Sequence, residues 1–116
     1  MSIKTLGKTL GDLNIPILRI TNPGKNIEVN QSADKPVILI IGRQHPGETH
    51  SSFVIHGLIN FLISSNVFAS KLRDQFEWWV VPMINPDGVV IGNYRTNLQG
   101  KDMNRHFFSE NEIVQA

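Results

Sequence analysis

Apolar residues fall into runs along the chain that predict strands separated by helical segments. Residues 15–20 predict a first strand, with Pro16 near its start, where a missing N–H is tolerated. A short strand over residues 27–29 is expected to pair with it. The β-branched run Val37–Ile41 predicts a strand buried on both faces. Residues 76–83, rich in aromatic and β-branched side chains, predict a further strand.

Between the last two runs the apolar positions take a helical spacing. Residues 47–64 predict a helix with a wide apolar face, and residues 68–75 predict a second, shorter helical piece. The apolar positions of the longer helix are Phe53, Val54, Ile55, Leu58, Ile59, Phe61, Leu62 and Ile63. A strand, a crossover helix and a strand form a βαβ unit, so the predicted fold class is α/β. Ligand sites in such sheets lie beyond the carboxyl ends of the strands.

Composition narrows the class of protein. A chain of 116 residues with 41% hydrophobic and 18% charged residues predicts one globular domain. The net charge of +1 and the lack of a basic block argue against binding to nucleic acid or membrane surfaces through bulk charge. No signal-peptide core and no apolar run of about 20 residues are present, so a cytosolic protein is expected. Because cysteine is absent, any metal must be held by histidine and carboxylate.

His45 and Glu48 are the first candidate for chemistry, since they follow the predicted strand Val37–Ile41 within one turn. Both could converge on one zinc ion, because catalytic zinc sites use three protein ligands of this kind and a water. A simpler interpretation is a helix start, with Pro46 at the first helical position and Glu48 near the positive end of the helix dipole. Considered in isolation, the pattern favours the simpler interpretation. The His-Glu-x-x-His signature of another zinc protease class is absent.

Two arginines lie in a long polar segment that follows the last predicted strand. Residues 85–88, Asn-Pro-Asp-Gly, have the composition of a type I turn. Arg95 and Arg105 come after it, and guanidinium groups grip carboxylates and stabilise developing oxyanions. Long loops of this kind are often functional. The alternative is that both arginines are ordinary solvated charges.

The other histidines are weaker candidates. His50 and His56 lie on the predicted helix without one-turn spacing between them, so surface or packing roles are expected. His106 directly follows Arg105 and is the only spare histidine near a candidate site residue, but metal binding by it is not expected.

The order of these motifs resembles the zinc metallocarboxypeptidases. Residues 45–49, 81–89, 92–95 and 100–105 follow one another as in that family, and residues 5–11 look like the segment that leads into its catalytic domain. More narrowly, the chain resembles the cytosolic carboxypeptidases, whose members trim glutamates from tubulin tails and other acidic C-termini. The resemblance covers nearly the whole chain. It implies a mixed-sheet α/β/α fold, of which residues 1–116 form the N-terminal part.

The resemblance implies a role for five residues. His45 and Glu48 match the first two zinc ligands, so Zn²⁺ is the implied cofactor. Arg95 matches the arginine that polarises the scissile carbonyl and steadies the oxyanion. Asn104 and Arg105 match the pair that grips the terminal carboxylate of the substrate, which makes the enzyme an exopeptidase.

The resemblance also implies a cytoplasmic location and cytoskeletal substrates such as tubulin tails. Residues 92–95 are closer to the cytosolic branch than to the secreted digestive enzymes, whereas Phe107-Phe108 departs slightly from its pattern. The family's third ligand, a histidine, and its catalytic glutamate lie further downstream, and nothing after Arg105 resembles either. The 116-residue chain is therefore expected to be inactive alone.

Two alternatives stay open from the sequence. The first is a non-catalytic, truncated relative that uses Arg95 and Arg105 to bind acidic C-terminal tails. The second is a plain α/β domain in which each motif has only a structural role, which four motifs in order make the weakest of the three interpretations.

Overall fold

Four strands form one mixed sheet in the computed structural model, which describes residues 1–23 and 35–107. The strands are β1 (Ser2–Lys8), β2 (Asn14–Ile20), β3 (Val37–Ile41) and β4 (Glu77–Val81). Their spatial order is β1-β2-β4-β3. β2 runs antiparallel to both β1 and β4, whereas β3 and β4 are parallel. The short strand predicted over residues 27–29 lies outside the described residues.

Helices connect the two parallel strands. α1 (Thr49–Ile63) and α2 (Val67–Gln75) cross from β3 to β4, which confirms the predicted βαβ unit. Ser64 ends α1 by donating its hydroxyl to the Phe61 carbonyl at 2.7 Å. Asn66 begins α2, because its side chain accepts the Phe68 amide at 2.8 Å. Both helices begin and end within two residues of the predicted bounds.

No single helix among residues 1–23 and 35–107 is long and apolar enough to cross a membrane. α1 and α2 meet at 92°, and they reach the required length and composition only when taken together.

The core lies between the sheet and α1. Leu18, Ile55 and Val80 form one buried cluster, and Ile20, Leu62 and Trp78 form the next. The Phe76 ring packs edge-on against Trp78, with 6.2 Å between ring centroids. Each fully buried aliphatic side chain contributes roughly 1.5–3 kcal/mol, so this layer holds the crossover helix on the strands.

The prediction that β3 is buried on both faces is wrong for the described residues. Val37, Leu39 and Ile41 are 51–59% exposed, whereas Ile38 and Ile40 pack under the helices. β3 is an edge strand here, and α1 covers only one face of it. The wide apolar face of α1 is likewise only partly used, since Phe53 and Val54 lie in solvent.

Two elements differ from the sequence-based expectation. Residues 5–11 were expected only as a segment leading into the domain, whereas residues 2–8 form β1 and pair with β2. Residues 85–88 were expected to form a type I turn, but they begin a helix, α3 (Pro86–Ile91). Its N-cap is Asn85, whose side chain accepts the Gly88 amide. A type I turn and a first helical turn share similar dihedral angles and residue preferences, so the two signals coincide.

An ion pair on the sheet face opposite α1 provides a test of this arrangement. Arg19 Nε and Nη2 donate to the two carboxylate oxygens of Glu77 at 2.7 and 2.6 Å. The hydrogen bonds from Arg19 lower the pKa of Glu77, although desolvation opposes the shift.

Replacing Glu77 with glutamine is expected to lower the free energy of unfolding at pH 7 by roughly 0.5–1 kcal/mol, as for other partly exposed ion pairs. Because the folded-state pKa is depressed, this stabilisation is present above the ordinary glutamate pKa of 4.5 and is lost as the pH falls below it. Urea unfolding from pH 7 to pH 3 should therefore show the difference between wild type and E77Q shrinking. In an Arg19→Met background E77Q should cost almost nothing, and an equal cost in both backgrounds would contradict the pairing.

Candidate functional site

The candidate site lies where the parallel strands β3 and β4 end side by side. The two chains stay paired just beyond the strands, because Gly42 donates to the Val81 carbonyl at 2.9 Å and accepts from the Ile84 amide at 3.0 Å. Residues 45–48 follow β3, and residues 85–88 follow β4. Both motifs therefore lie at the carboxyl edge of the sheet, as predicted.

His45 and Glu48 approach each other directly after β3. His45 is only 8% exposed, and its Nδ1 lies 3.0 Å from Glu48 Oε1. Two zinc bonds of about 2.1 Å at a near-tetrahedral angle place their donor atoms roughly 3.4 Å apart. The observed separation is within a few tenths of an ångström of that value, so the two side chains fit a shared zinc ion.

The simpler interpretation of this motif, a helix start, is confirmed for Glu48 and wrong for Pro46. α1 begins at Thr49, so Pro46 lies before the N-cap rather than at the first helical position. Glu48 is the N-cap residue, but its side chain accepts no capping hydrogen bond. Its carboxylate is turned to His45 instead.

Asp102 faces the other nitrogen of the His45 ring. The distance from His45 Nε2 to Asp102 Oδ1 is 3.1 Å. An ionised carboxylate can only accept, so Nε2 carries the proton and a neutral ring keeps its lone pair on Nδ1. Metal-binding histidines generally donate their second nitrogen to such a carboxylate. A lone pair beside the Glu48 carboxylate is unfavourable without a positive charge between them, and a bound cation or a proton on Nδ1 would supply that charge.

Arg95 forms a hydrogen bond with the same Asp102 carboxylate that faces His45. Its Nε donates to Asp102 Oδ2 at 2.5 Å, and its side chain is 41% exposed. Desolvation raises the pKa of Asp102, but hydrogen bonds from Arg95, from the Asn104 amide and from His45 outweigh it and lower the pKa to about 2. Asp102 is therefore ionised at any physiological pH.

Asn104 and Arg105 follow Asp102 on a single turn of 3₁₀ helix (Met103–Arg105). Asp102 caps this turn by accepting the Asn104 amide at 2.9 Å. Both side chains are exposed, and Arg105 Nη1 donates to the Asn104 carbonyl at 3.3 Å. The structure thus connects the five predicted site residues directly or through Asp102.

Asp102 had no predicted role, although it lies within the motif at residues 100–105. An aspartate in a polar loop has the same sequence pattern as a solvated one, and its partner His45 is 57 residues away. The only available signal was its position two residues before Asn104.

A third metal ligand is not found in the part of the chain that the structure describes. Residues 1–23 and 35–107 contain no group of three histidine, cysteine, aspartate or glutamate side chains arranged to hold a metal. His50 and His56 are exposed on α1, as expected, and His56 pairs with Asn60 at 3.1 Å. His106 is partly buried and belongs to no such group.

Residues 85–88 hold the loops of the site together. Asn85 Nδ2 donates to the carbonyls of Gln44 and Thr96, at 3.2 and 3.4 Å. Asp87 is buried and accepts from Thr9 Oγ1 and the Gly11 amide, which fastens the turn between β1 and β2 to α3. This motif is therefore a structural support for the site.

Comparison with known proteins identifies a family for the chain. A family model described as zinc carboxypeptidase matches residues 1–115. Cytosolic carboxypeptidase 2 of Mus musculus is 40% identical over 105 residues, which are 90% of this chain and 12% of that protein. Cytosolic carboxypeptidase 6 of Homo sapiens is 44% identical over 109 residues, or 94% of this chain and 21% of that protein. The chain thus spans only a minor part of these relatives.

Solved structures agree with the sequence matches. A metallo-carboxypeptidase from Burkholderia cenocepacia superimposes with a TM-score of 0.79 and 35% identity, covering 90% of this chain and 27% of that one. A carboxypeptidase from Shewanella denitrificans gives a TM-score of 0.80 and 34% identity, covering 93% of this chain and 27% of that one.

Substitution of Gly47 provides a test of how tightly the site is packed. A Cβ there would lie 2.5 Å from Tyr94 Cδ2 and 2.7 Å from the Tyr94 carbonyl oxygen. We expect Gly47→Ala to lower the free energy of unfolding by about 1–3 kcal/mol through overpacking. Gly57 on α1 is the matched control, since a Cβ there meets nothing within 4 Å. Gly57→Ala should raise stability by about 0.5–1 kcal/mol through helix propensity. Equal effects of both variants in urea unfolding would contradict the packing described.

Proposed function

The chain belongs to the zinc carboxypeptidase family, and from that premise we propose that it is part of an enzyme that removes C-terminal glutamates from acidic protein tails. The predicted mixed-sheet α/β fold of this family is confirmed, because solved metallo-carboxypeptidases cover 90% of the chain or more. The chain spans 12–21% of the two relatives named above, so the activity of a complete protein is a proposal.

The observation that carries the proposal is the approach of His45 Nδ1 to Glu48 Oε1 at 3.0 Å. We assign these two side chains as zinc ligands, with Asp102 holding the ring of His45 in the required tautomer. A zinc ion there would supply Lewis-acid polarisation and the activation of a water. His45 and Glu48 would bind it, and Asp102 would fix the proton on Nε2.

Arg95 is assigned to the scissile carbonyl. Among the described residues Asp102 accepts the Nε–H of Arg95, so the two terminal NH₂ groups remain for the substrate oxygen. The pairing with an ionised carboxylate holds the guanidinium in place before charge develops on that oxygen. Donors that are already oriented need no reorganisation in the transition state, which is why they are effective.

Asn104 and Arg105 are assigned to the terminal carboxylate of the substrate. Both are exposed at the rim of the site, and an arginine fork can bind a carboxylate through two parallel hydrogen bonds. Acidic C-terminal tails, such as those of tubulin, are the proposed partners. The relatives are named cytosolic carboxypeptidases, which supports a cytoplasmic location and access to the cytoskeleton.

The 116-residue polypeptide is expected to release no glutamate from a peptide that ends in several glutamates, with zinc added. Its described residues offer two ligands of the three that catalytic zinc sites use. Free glutamate measured by mass spectrometry is the readout. Release that a chelator abolishes would contradict the two-ligand account.

A longer in-frame product of the same gene, carrying a further histidine and a glutamate, is the positive control, and it is expected to release glutamate.

In that longer product, Arg105→Ala should lower kcat/KM by about 100-fold or more, since a charged hydrogen-bonding partner of the substrate carboxylate is lost. Lys71, an exposed cation on α2, is the matched control, and Lys71→Ala should leave kcat/KM unchanged. Chelator-insensitive binding of a glutamate-rich peptide, lost in Arg105→Ala and without turnover, would instead support the non-catalytic binding protein.

A further inference from the structure

Arg43 adopts an unusual backbone conformation between β3 and the proposed zinc ligands. Its φ is 51°, in the left-handed region that non-glycine residues rarely enter. In residues 1–23 and 35–107 only Asp12 shares a positive φ without being glycine. Such a conformation costs about 1 kcal/mol or more and persists only where surrounding contacts enforce it.

The side chain of Arg43 supplies those contacts. Nε and Nη2 both donate to the Pro46 carbonyl oxygen, at 3.0 and 2.7 Å. Nη1 donates to Ser52 Oγ at 3.0 Å. The backbone amide of Arg43 donates to Ser51 Oγ at 3.1 Å, and that hydroxyl donates to the Glu48 carbonyl. Each of the three guanidinium nitrogens therefore has a partner within the protein.

These contacts hold the peptide group that lies between the two proposed ligands. The carbonyl of the Pro46–Gly47 peptide points to Arg43, and its N–H donates to the Tyr94 carbonyl at 2.7 Å. A trans peptide is planar with its C=O and N–H on opposite sides, so holding both ends fixes its rotation. His45 and Glu48 lie one residue beyond either side of this peptide, so its rotation contributes to the direction of both side chains relative to each other.

We propose that Arg43 is a positioning residue that keeps His45 Nδ1 and Glu48 Oε1 convergent on one metal ion. The inference rests on the proposed function, since it assumes that these two atoms bind zinc. Arg43 itself touches neither the metal nor the substrate. Lysine cannot replace it, because a single ammonium group cannot reach the Pro46 carbonyl and Ser52 in the geometry of the planar fork.

The test is the zinc affinity of the full chain, measured by competition with a chromophoric chelator. Arg43→Lys keeps the charge and loses the fork, whereas Arg43→Gly removes the side chain and relieves the positive φ. Both are expected to weaken zinc binding by about 10-fold or more, the loss found when an outer-shell partner of a metal ligand is removed, with unchanged far-UV circular dichroism.

Arg73 provides the matched control. It also donates to main-chain carbonyls, of Leu62 and Ser64, but at the opposite end of α1. Arg73→Lys should lower stability and leave zinc affinity unchanged. His45→Ala, in which the ligand itself is lost, should abolish the binding that Arg43 variants only weaken.

The outcomes separate the two proposals. If His45→Ala loses zinc while both Arg43 variants bind it as wild type does, the positioning role is wrong and the zinc site stands. If His45→Ala binds zinc unchanged, the zinc site is wrong, and hydrogen exchange of the Gly47 amide without metal decides the role of Arg43. If exchange of this amide is about 10-fold faster in Arg43→Lys, the claim that Arg43 holds the Pro46–Gly47 peptide is supported. Unchanged exchange overturns that claim.

Discussion

The carboxylate of Asp102 is the interaction on which the whole candidate site depends. One of its oxygens faces His45 Nε2, and the other accepts from Arg95 Nε. The same side chain caps the turn that carries Asn104 and Arg105. Because these hydrogen bonds lower its pKa to about 2, Asp102 stays charged and all three groups keep one arrangement. The proposed ligand and the proposed oxyanion donor are thus oriented by one anion.

The loops that carry the site are also restricted by close packing of neighbouring atoms against their glycines. Gly42, Gly47 and Gly88 each lie where a Cβ would come within 2.6 Å of a neighbouring atom. Arg43 and Asn85 then tie these loops together through main-chain carbonyls. The site therefore rests on backbone positions that side-chain chemistry alone does not reveal. In contrast, the outer face of β3 is exposed and apolar, and among the described residues no strand pairs with its free edge, so this strand is an aggregation hazard for the 116-residue polypeptide.

The sequence predicted the parts of the fold that local pattern determines. The predicted bounds of five elements agree with the structure to within two residues, because apolar periodicity follows from the face that each element buries. These elements are β2, β3, β4, α1 and α2. β1 was not predicted as a strand of its own, although it forms a hairpin with β2 and its partners lie close by in sequence. The burial of β3 was overestimated because an apolar run alone does not indicate whether other elements cover one face of the strand or both.

For the site, the sequence located the residues but not their connections. His45, Glu48 and Arg95 were chosen from short motifs, and their order along the chain resembled one enzyme family. Their roles remain proposals. Asp102 was missed because its contacts span 57 residues to His45, and Arg43 was missed because nothing in its sequence context signals a positive φ.

The most direct test of the account is the state of the two ring nitrogens of His45, followed by ¹⁵N NMR during zinc titration. The account predicts that Nε2 keeps its proton, donated to Asp102, while the resonance of Nδ1 moves as that atom binds zinc. Coordination through Nε2, or a ring unchanged at saturating zinc, would contradict the claim that Asp102 holds His45 and Glu48 as a pair of metal ligands.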